Sequence, residues 1–151
     1  MKRKKGFTLV EILVSMAIMA ITITGALKML NSLAVINEGN DAILAIMNHV
    51  QGVMDEVRNV PFSDLSALYN NKQFQVAELQ AKGITHQGLI TVTNIEPGYL
   101  DQVRIVVCWR QKDRVIGEDE NLNANLDAGE DQNTNGVIDS PCQISSIIRA
   151  Q

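Results

Sequence analysis

Sulfur and imidazole ligands are scarce in this chain. Its 151 residues include two cysteines and two histidines, so a four-ligand Cys/His zinc centre would need all of them. Aromatics make up 4%, too few for the stacking platforms that hold bases or sugars. Three prolines and ten glycines exclude a collagen-like or low-complexity chain. Basic residues are short as well. Thirteen Lys+Arg face 17 Asp+Glu for a net charge of −4, and four of the thirteen sit in Lys2, Arg3, Lys4 and Lys5. Without that cluster the net negative charge doubles, so no nucleic-acid partner is expected. Catalytic signatures are absent too: there is no P-loop, no G-x-S-x-G and no H-E-x-x-H, and paired carboxylates are confined to one acidic stretch. The chain reads as a non-enzyme. His49, on the polar flank of a helix, and His86, in a linker, are expected to be solvated.

What the chain has in excess is one long apolar run. Phe7–Leu30 (FTLVEILVSMAIMAITITGALKML) spans 24 residues in which only Glu11 and Lys28 are ionisable. About 20 residues suffice to cross a bilayer as a helix. The basic cluster before it should stay in the cytoplasm and place the rest outside. A secretory signal peptide has a shorter apolar core, about 7–15 residues, ending in a small-residue cleavage site. Glu11 is the misfit. An ionisable side chain inside a membrane span costs energy and needs a partner, so it is read as functional.

KKGFTLVEILVSMAIMA, about residues 2–20, resembles the class III signal of type IV pilins and type II secretion pseudopilins: a short basic leader ending in Gly, then Phe-Thr-Leu-hydrophobic-Glu. The resemblance implies cleavage by prepilin peptidase between Gly6 and Phe7, and N-methylation of Phe7. It also implies that Glu11 pairs with the new N-terminal amine of a neighbouring subunit during assembly. Two opposite charges attract strongly in a low dielectric, whereas either alone is costly to bury. The chain would start in the bacterial inner membrane, with a cytoplasmic N-terminus and a periplasmic domain, and move to the pilus or cell surface. Its partners would be other minor and major pilins, met through the N-terminal helix.

Helical periodicity continues beyond the membrane run. Ile36, Ile43, Ile46/Met47, Val50, Val53/Met54 and Val57 share one face, and Pro61 ends the pattern. One helix from Phe7 to Asn59 would be on the order of 80 Å long. Gly25, Gly39 and Gly52 are weak points at about 1 kcal/mol each. The proline many major pilins carry near the end of the apolar half is absent. Ser63–Leu68 predicts a short helix, and Phe74–Lys82 another turn or two. Leu89–Ile95, Gln102–Trp109 and Gln143–Ile148 alternate as strands. The expected fold class is α+β and pilin-like: a long N-terminal helix, membrane-spanning in its first half, packed on a small antiparallel sheet. The expected organisation is a leader at 1–6, a membrane and filament-core segment at 7–30, and a globular domain at 31–151.

Val107-Cys108-Trp109-Arg110, followed by a long excursion, resembles the PilV-like minor pilins in particular. Trp109 is expected to cover the sheet rather than to stack on a ligand. Cys108 and Cys142 lie outside the cytoplasm in this topology, where a disulfide would persist. A bridge enclosing 33 residues would stabilise the fold by about 3–4 kcal/mol; the alternative is two free buried thiols.

The excursion, residues 117–141, reads GEDENLNANLDAGEDQNTNGVIDSP, with seven acidic residues and no basic one up to Asp139. Set in a twelve-residue calcium loop, Asp119, Asn121, Asn123, Asn125, Asp127 and Glu130 take positions 1, 3, 5, 7, 9 and 12. Leu126 is the apolar position 8. Ala124 stands where Gly makes the sharp turn. A second, weaker register places Asp131, Asn133, Asn135, Val137 and Asp139 at positions 1, 3, 5, 7 and 9. Gly136 is correct there, but Cys142 replaces the closing Glu, so Glu118, Glu120 or Asp139 would have to serve. Hard oxygen donors favour Ca²⁺, one ion or two. A solvated Asn-rich loop that binds nothing is the alternative.

Three functions fit these features. The first is a minor pilin that helps initiate or cap a pilus, or is carried in it as an adhesion subunit. The second is an I-type minor pseudopilin of type II secretion. The third is a membrane-anchored calcium-binding protein that never polymerises.

Overall fold

The computed structural model describes residues 8–150. Gly6 and Phe7, the expected processing residues, lie outside the described residues. In chain order the elements are α1 (Leu9–Arg58), α2 (Phe62–Tyr69), β1 (Lys72–Phe74), α3 (Ala77–Ala81), β2 (His86–Glu96), β3 (Leu100–Gln111), β4 (Arg114–Ile116) and β5 (Gln143–Arg149). A long helix followed by a small antiparallel sheet is the expected α+β architecture. Two compact units divide the chain, Met1–Asn40 and Asp41–Gln151, and α1 contributes to both.

In the first unit α1 is apolar on all sides and its apolar side chains are exposed, Leu9, Leu13, Met19 and Leu30 among them. It is long and apolar enough to cross a membrane. Its few hydroxyls fit that setting. Ser15 donates to the carbonyl of Glu11, Thr22 to that of Met19, Thr24 to that of Ala20 and Ser32 to that of Lys28, so each of these hydroxyls is satisfied within the helix, as a lipid setting requires. The helix runs through Gly25, Gly39 and Gly52 without interruption.

The second unit is built on β3. It pairs antiparallel with β2 along one edge; along the other it pairs with β5 at Leu100–Val106 and with β4 at Trp109–Gln111. Strand β1 adds to the far side of β2. Period-two alternation sends Ile90 and Val92 of β2, and Val103, Ile105, Val107 and Trp109 of β3, to one face. Ile46, Val50, Met54 and Val57 of α1 cover them. The buried stripe on α1 is therefore narrower than expected: Ile43 and Ile36 are exposed, and Ala42 is the residue that is buried one turn before Ile46. The helix closes with short i→i+3 bonds from the amides of Asn59 and Val60, and Pro61 opens α2.

Two short strands and one histidine depart from expectation. Phe74 ends β1 instead of beginning a helix. Its ring lies over Gly88, where a Cβ would come within 2.6 Å of it, and stacks on His49 at 5.6 Å. His86 is buried at the start of β2 instead of solvated. The Val76 amide donates to its Nε2 (2.8 Å), so Nδ1 must carry the hydrogen and donates to the carbonyl of Ile84 (2.8 Å). A neutral imidazole thereby ties the start of α3 to the sheet. Trp109 is also core: it is 1% exposed, it faces α1, and its indole N–H has no partner among the described residues.

Candidate functional site

The start of α1 forms a reciprocal cap. The Glu11 amide donates to Thr8 Oγ1 (3.3 Å), and the Thr8 amide donates to Glu11 Oε2 (3.5 Å). Thr-x-x-Glu is the capping-box spacing, in which two orphan helix amides are satisfied at once. The carboxylate expected to meet a neighbour's amine therefore also serves its own helix. Sequence reasoning passed over Thr8 in this role, although the T-x-x-E spacing announces it.

The acidic excursion leaves β4 and returns into β5, so both of its ends lie along the same edge of β3. Gly117, at φ +113°, packs against Cys108. The Glu118 amide donates to the carbonyl of Asp139 (2.8 Å), and the Asp139 amide to Glu118 Oε2 (3.0 Å). Ser140 Oγ donates to the Val107 carbonyl (2.6 Å), and the Val107 amide to the Cys142 carbonyl (3.1 Å). Leu122, Leu126 and Ile138 cover Val106, Cys108 and Leu89 on the sheet face away from α1, a second small core. The apolar eighth position of each loop register thus docks the loop.

Within the excursion the two registers fold alike. Asp119 accepts the amides of Asn123 (2.9 Å) and Ala124 (2.8 Å); twelve residues on, Asp131 accepts those of Asn135 (3.1 Å) and Gly136 (2.9 Å). Ala124 and Gly136 both have positive φ, 62° and 76°. The side-chain amides of Asn121 and Asn123 donate to Asp127 Oδ2 at 2.7 and 2.8 Å, and those of Asn133 and Asn135 to Asp139 Oδ2, both at 2.6 Å. These amides hold the Asp127 carboxyl below the usual carboxylate range.

Glu130 closes its own loop, whereas the second loop borrows its glutamate from the residue before the first loop. Glu130 accepts the amide of Asp127 (3.0 Å), and also those of Glu120 and Asn121; Glu118 accepts the amide of Asp139 in the equivalent place. Glu118 and Glu130 stand twelve residues apart, and with Asp119 they are buried, at 8%, 6% and 2% exposure. Of the three residues expected to replace the missing Glu, Glu118 is the one so placed. A difference between the loops comes from β3: Arg104 pairs with Asp139 and also reaches Gln143 Oε1 (2.8 Å). The sequence contains Arg104 but no signal that it faces this loop. Asn125 and Val137 stand at position 7, which calls for a backbone carbonyl. Among the described residues no group of three or more His, Cys, Asp and Glu side chains is arranged to hold a metal ion. The remaining oxygen donors are asparagine amides and carbonyls.

The expected Cys108–Cys142 bridge is not formed: both thiols are free and buried. Strand parity explains why. Cys142 continues the β5 ladder opposite Val107 and shares its core beneath α1, whereas Cys108, one residue along, points to the opposite face beneath the excursion. Burial pushes the Cys108 thiol up to about 11 and raises that of Cys142.

Residues 1–27 match the family model described as the prokaryotic N-terminal methylation motif. No curated protein and no solved structure matches the chain. The motif implies processing by prepilin peptidase, fits membrane anchoring through the apolar helix, and belongs to a family that is structural rather than catalytic. A prepilin-type signal at the head of a long apolar helix, with a small antiparallel sheet after it, supports a place for this chain in the type IV pilin and pseudopilin family, without singling out the PilV-like branch.

Proposed function

We propose that this chain is a minor type IV pilin of the PilV-like kind, a structural subunit that takes part in initiating or capping a pilus. The observation that carries the reading is the pairing of the methylation motif with an apolar half-helix whose large apolar side chains are exposed among the described residues. A surface of that size is stable only in lipid or against the helices of other subunits. The Val107–Arg110 strand end and the long excursion after it favour the PilV-like branch over an I-type pseudopilin. After processing at Gly6–Phe7, Glu11 would meet the amine of a neighbour, and the domain would face the periplasm and then the cell surface.

We also propose that the excursion takes up Ca²⁺. The donor set is all oxygen, and the carboxylate of Asp119 is oriented by two backbone amides with a lone pair left on each oxygen. Ala124 already has the turn that position 6 requires. A cation would replace the asparagine N–H groups that now face Asp127. The second loop is the weaker one, because Arg104 already neutralises Asp139.

A deletion strain and its sheared surface fraction test the pilin reading. Loss of pili with secretion intact, and this chain in wild-type pili with methylated Phe7 as its first residue, are the expected results. Lost secretion with normal pili would assign it to type II secretion, and a mature chain starting after Ala20 or Ala26 would remove it from both.

A further inference from the structure

The sheet has two free edges, and they are built differently. Strand β1 is three residues long and carries Lys72, the usual protection of an exposed edge. Strand β5 has seven residues, its register with β3 is unbroken, and Gln143–Ile148 contains neither charge nor proline. Hydrogen bonds at its two ends set which groups face outward. Cys142 bonds to Val107 and Ala150 to Tyr99. Alternation between these points turns residues 144, 146 and 148 toward β3 and leaves the N–H and C=O of Gln143, Ser145, Ile147 and Arg149 on the open side. Those four residues are exposed, Ile147 by 61%. No backbone group of theirs has another partner among the described residues.

We propose that β5 is a docking edge for β5 of a second copy of this chain, paired antiparallel about Ser146. The strand is self-complementary in that register. Ser145 meets Ile147 and Gln143 meets Arg149, so every outward N–H and C=O finds its counterpart, and each such pair exchanges two hydrogen bonds. Ile144 meets Ile148 on the face toward α1, a favourable β-branched pair. Charge agrees with the strand direction. Arg149 ends β5, in a cleft it lines with Arg58 (itself paired with Asp55) and Asp101, and the seven acids of the excursion precede the N-terminal end of the strand. Antiparallel pairing sets the acidic end of each copy beside the arginines of the other, which fixes orientation as well as attraction. The contact is isologous and closes at two copies. It uses nothing of the membrane helix.

The test uses the full chain purified in detergent. Ser145→Pro deletes an outward amide while leaving the ladder to β3 intact, so its melting temperature should stay close to that of wild type. Its dimer dissociation constant, from sedimentation across a concentration series, should rise at least about tenfold, with Ser145→Ala as the neutral control. Ser146→Cys should cross-link to itself on mild oxidation, because the two copies of this residue face each other on the two-fold axis at about 4.5 Å between Cα atoms. A monomeric wild-type chain overturns the proposal. So does a dimer that Ser145→Pro leaves unchanged, which would place the association in the membrane helix, or a Ser146→Cys chain that does not cross-link.

Discussion

Gly117→Ala should be among the most damaging single substitutions outside the α1–sheet core. Gly117 sits at φ +113°, where an L side chain is strained at about 1–3 kcal/mol. An added Cβ would also collide with Cys108 Sγ and lie 3.1 Å from Cys108 Cβ and 3.2 Å from Ser140 Cβ. Cys108 is 1% exposed, so its sulfur has no open space to move into, and overpacking of this kind costs about 1–3 kcal/mol more. The two effects together reach about 2–6 kcal/mol, a large part of the stability of a domain this size. The melting temperature should fall by on the order of 10–25 °C. Gly129→Ala separates the two contributions: its φ is +96°, but nothing lies within 4 Å of its Cβ position, so it carries the backbone strain alone. Adding Cys108→Ala to Gly117→Ala should recover the steric part, a coupling of about 1–3 kcal/mol in a double-mutant cycle. Denaturant unfolding of wild type, Gly117→Ala, Gly129→Ala, Cys108→Ala and the double variant is the assay. Equal losses for Gly117→Ala and Gly129→Ala, or no coupling to Cys108, would refute the close packing of the excursion's first turn on the sheet.

Three further outcomes are expected. Because the folded chain holds the Cys108 proton to about pH 11 and the unfolded chain releases it near pH 9, stability should be level below that range and fall as pH rises through it, by roughly 2–3 kcal/mol; Cys108→Ala should remove most of the slope, and iodoacetamide at pH 8 should label neither thiol before unfolding. Glu11→Gln keeps an acceptor for the Thr8 amide but loses the charge, whereas Glu11→Ala loses both, so filament incorporation absent in both variants assigns the requirement to the charge, and incorporation kept by Glu11→Gln assigns it to the helix cap. Ca²⁺ at 100 times its dissociation constant should stabilise the chain by about 2.7 kcal/mol, and Asp119→Ala with Glu130→Ala should abolish the shift in calorimetry and thermal melts; a chain insensitive to several millimolar Ca²⁺ has no such site.

What the sequence made legible follows from how local each signal is. The long helix and the three main strands rest on runs of residues that carry their own period, and the structure has them; the prepilin signal is a local motif, and the family model matches it at residues 1–27. Strands β1 and β4 are three residues each, too short for any period, and exist because β2 and β3 offer them an edge. His86 read as a linker residue because its two partners, the Val76 amide and the Ile84 carbonyl, are supplied by backbone and leave no mark in side-chain pattern. In the excursion the twelve-residue step was visible, and with it the paired loops; Arg104 was not, because it lies on the outer face of a strand far off in sequence.

The cysteines show where spacing misleads. Two cysteines flanking one excursion invite a bridge, and both chain ends of that excursion do come together on β3. Contact between strands is nevertheless a matter of parity, and a shift of one residue reverses the face. Had Cys142 stood opposite Cys108, a bridge would have cost a core position on one side of the sheet. With Cys142 opposite Val107, each thiol instead fills a different core: one beneath α1, the other beneath Gly117 and Ile138. The excursion is then held to the sheet by the Glu118–Asp139 and Ser140–Val107 hydrogen bonds and by its own apolar residues. None of these contacts is covalent, so the stability of this region should respond to whatever neutralises its seven carboxylates, salt included, in a way that a bridged loop would resist.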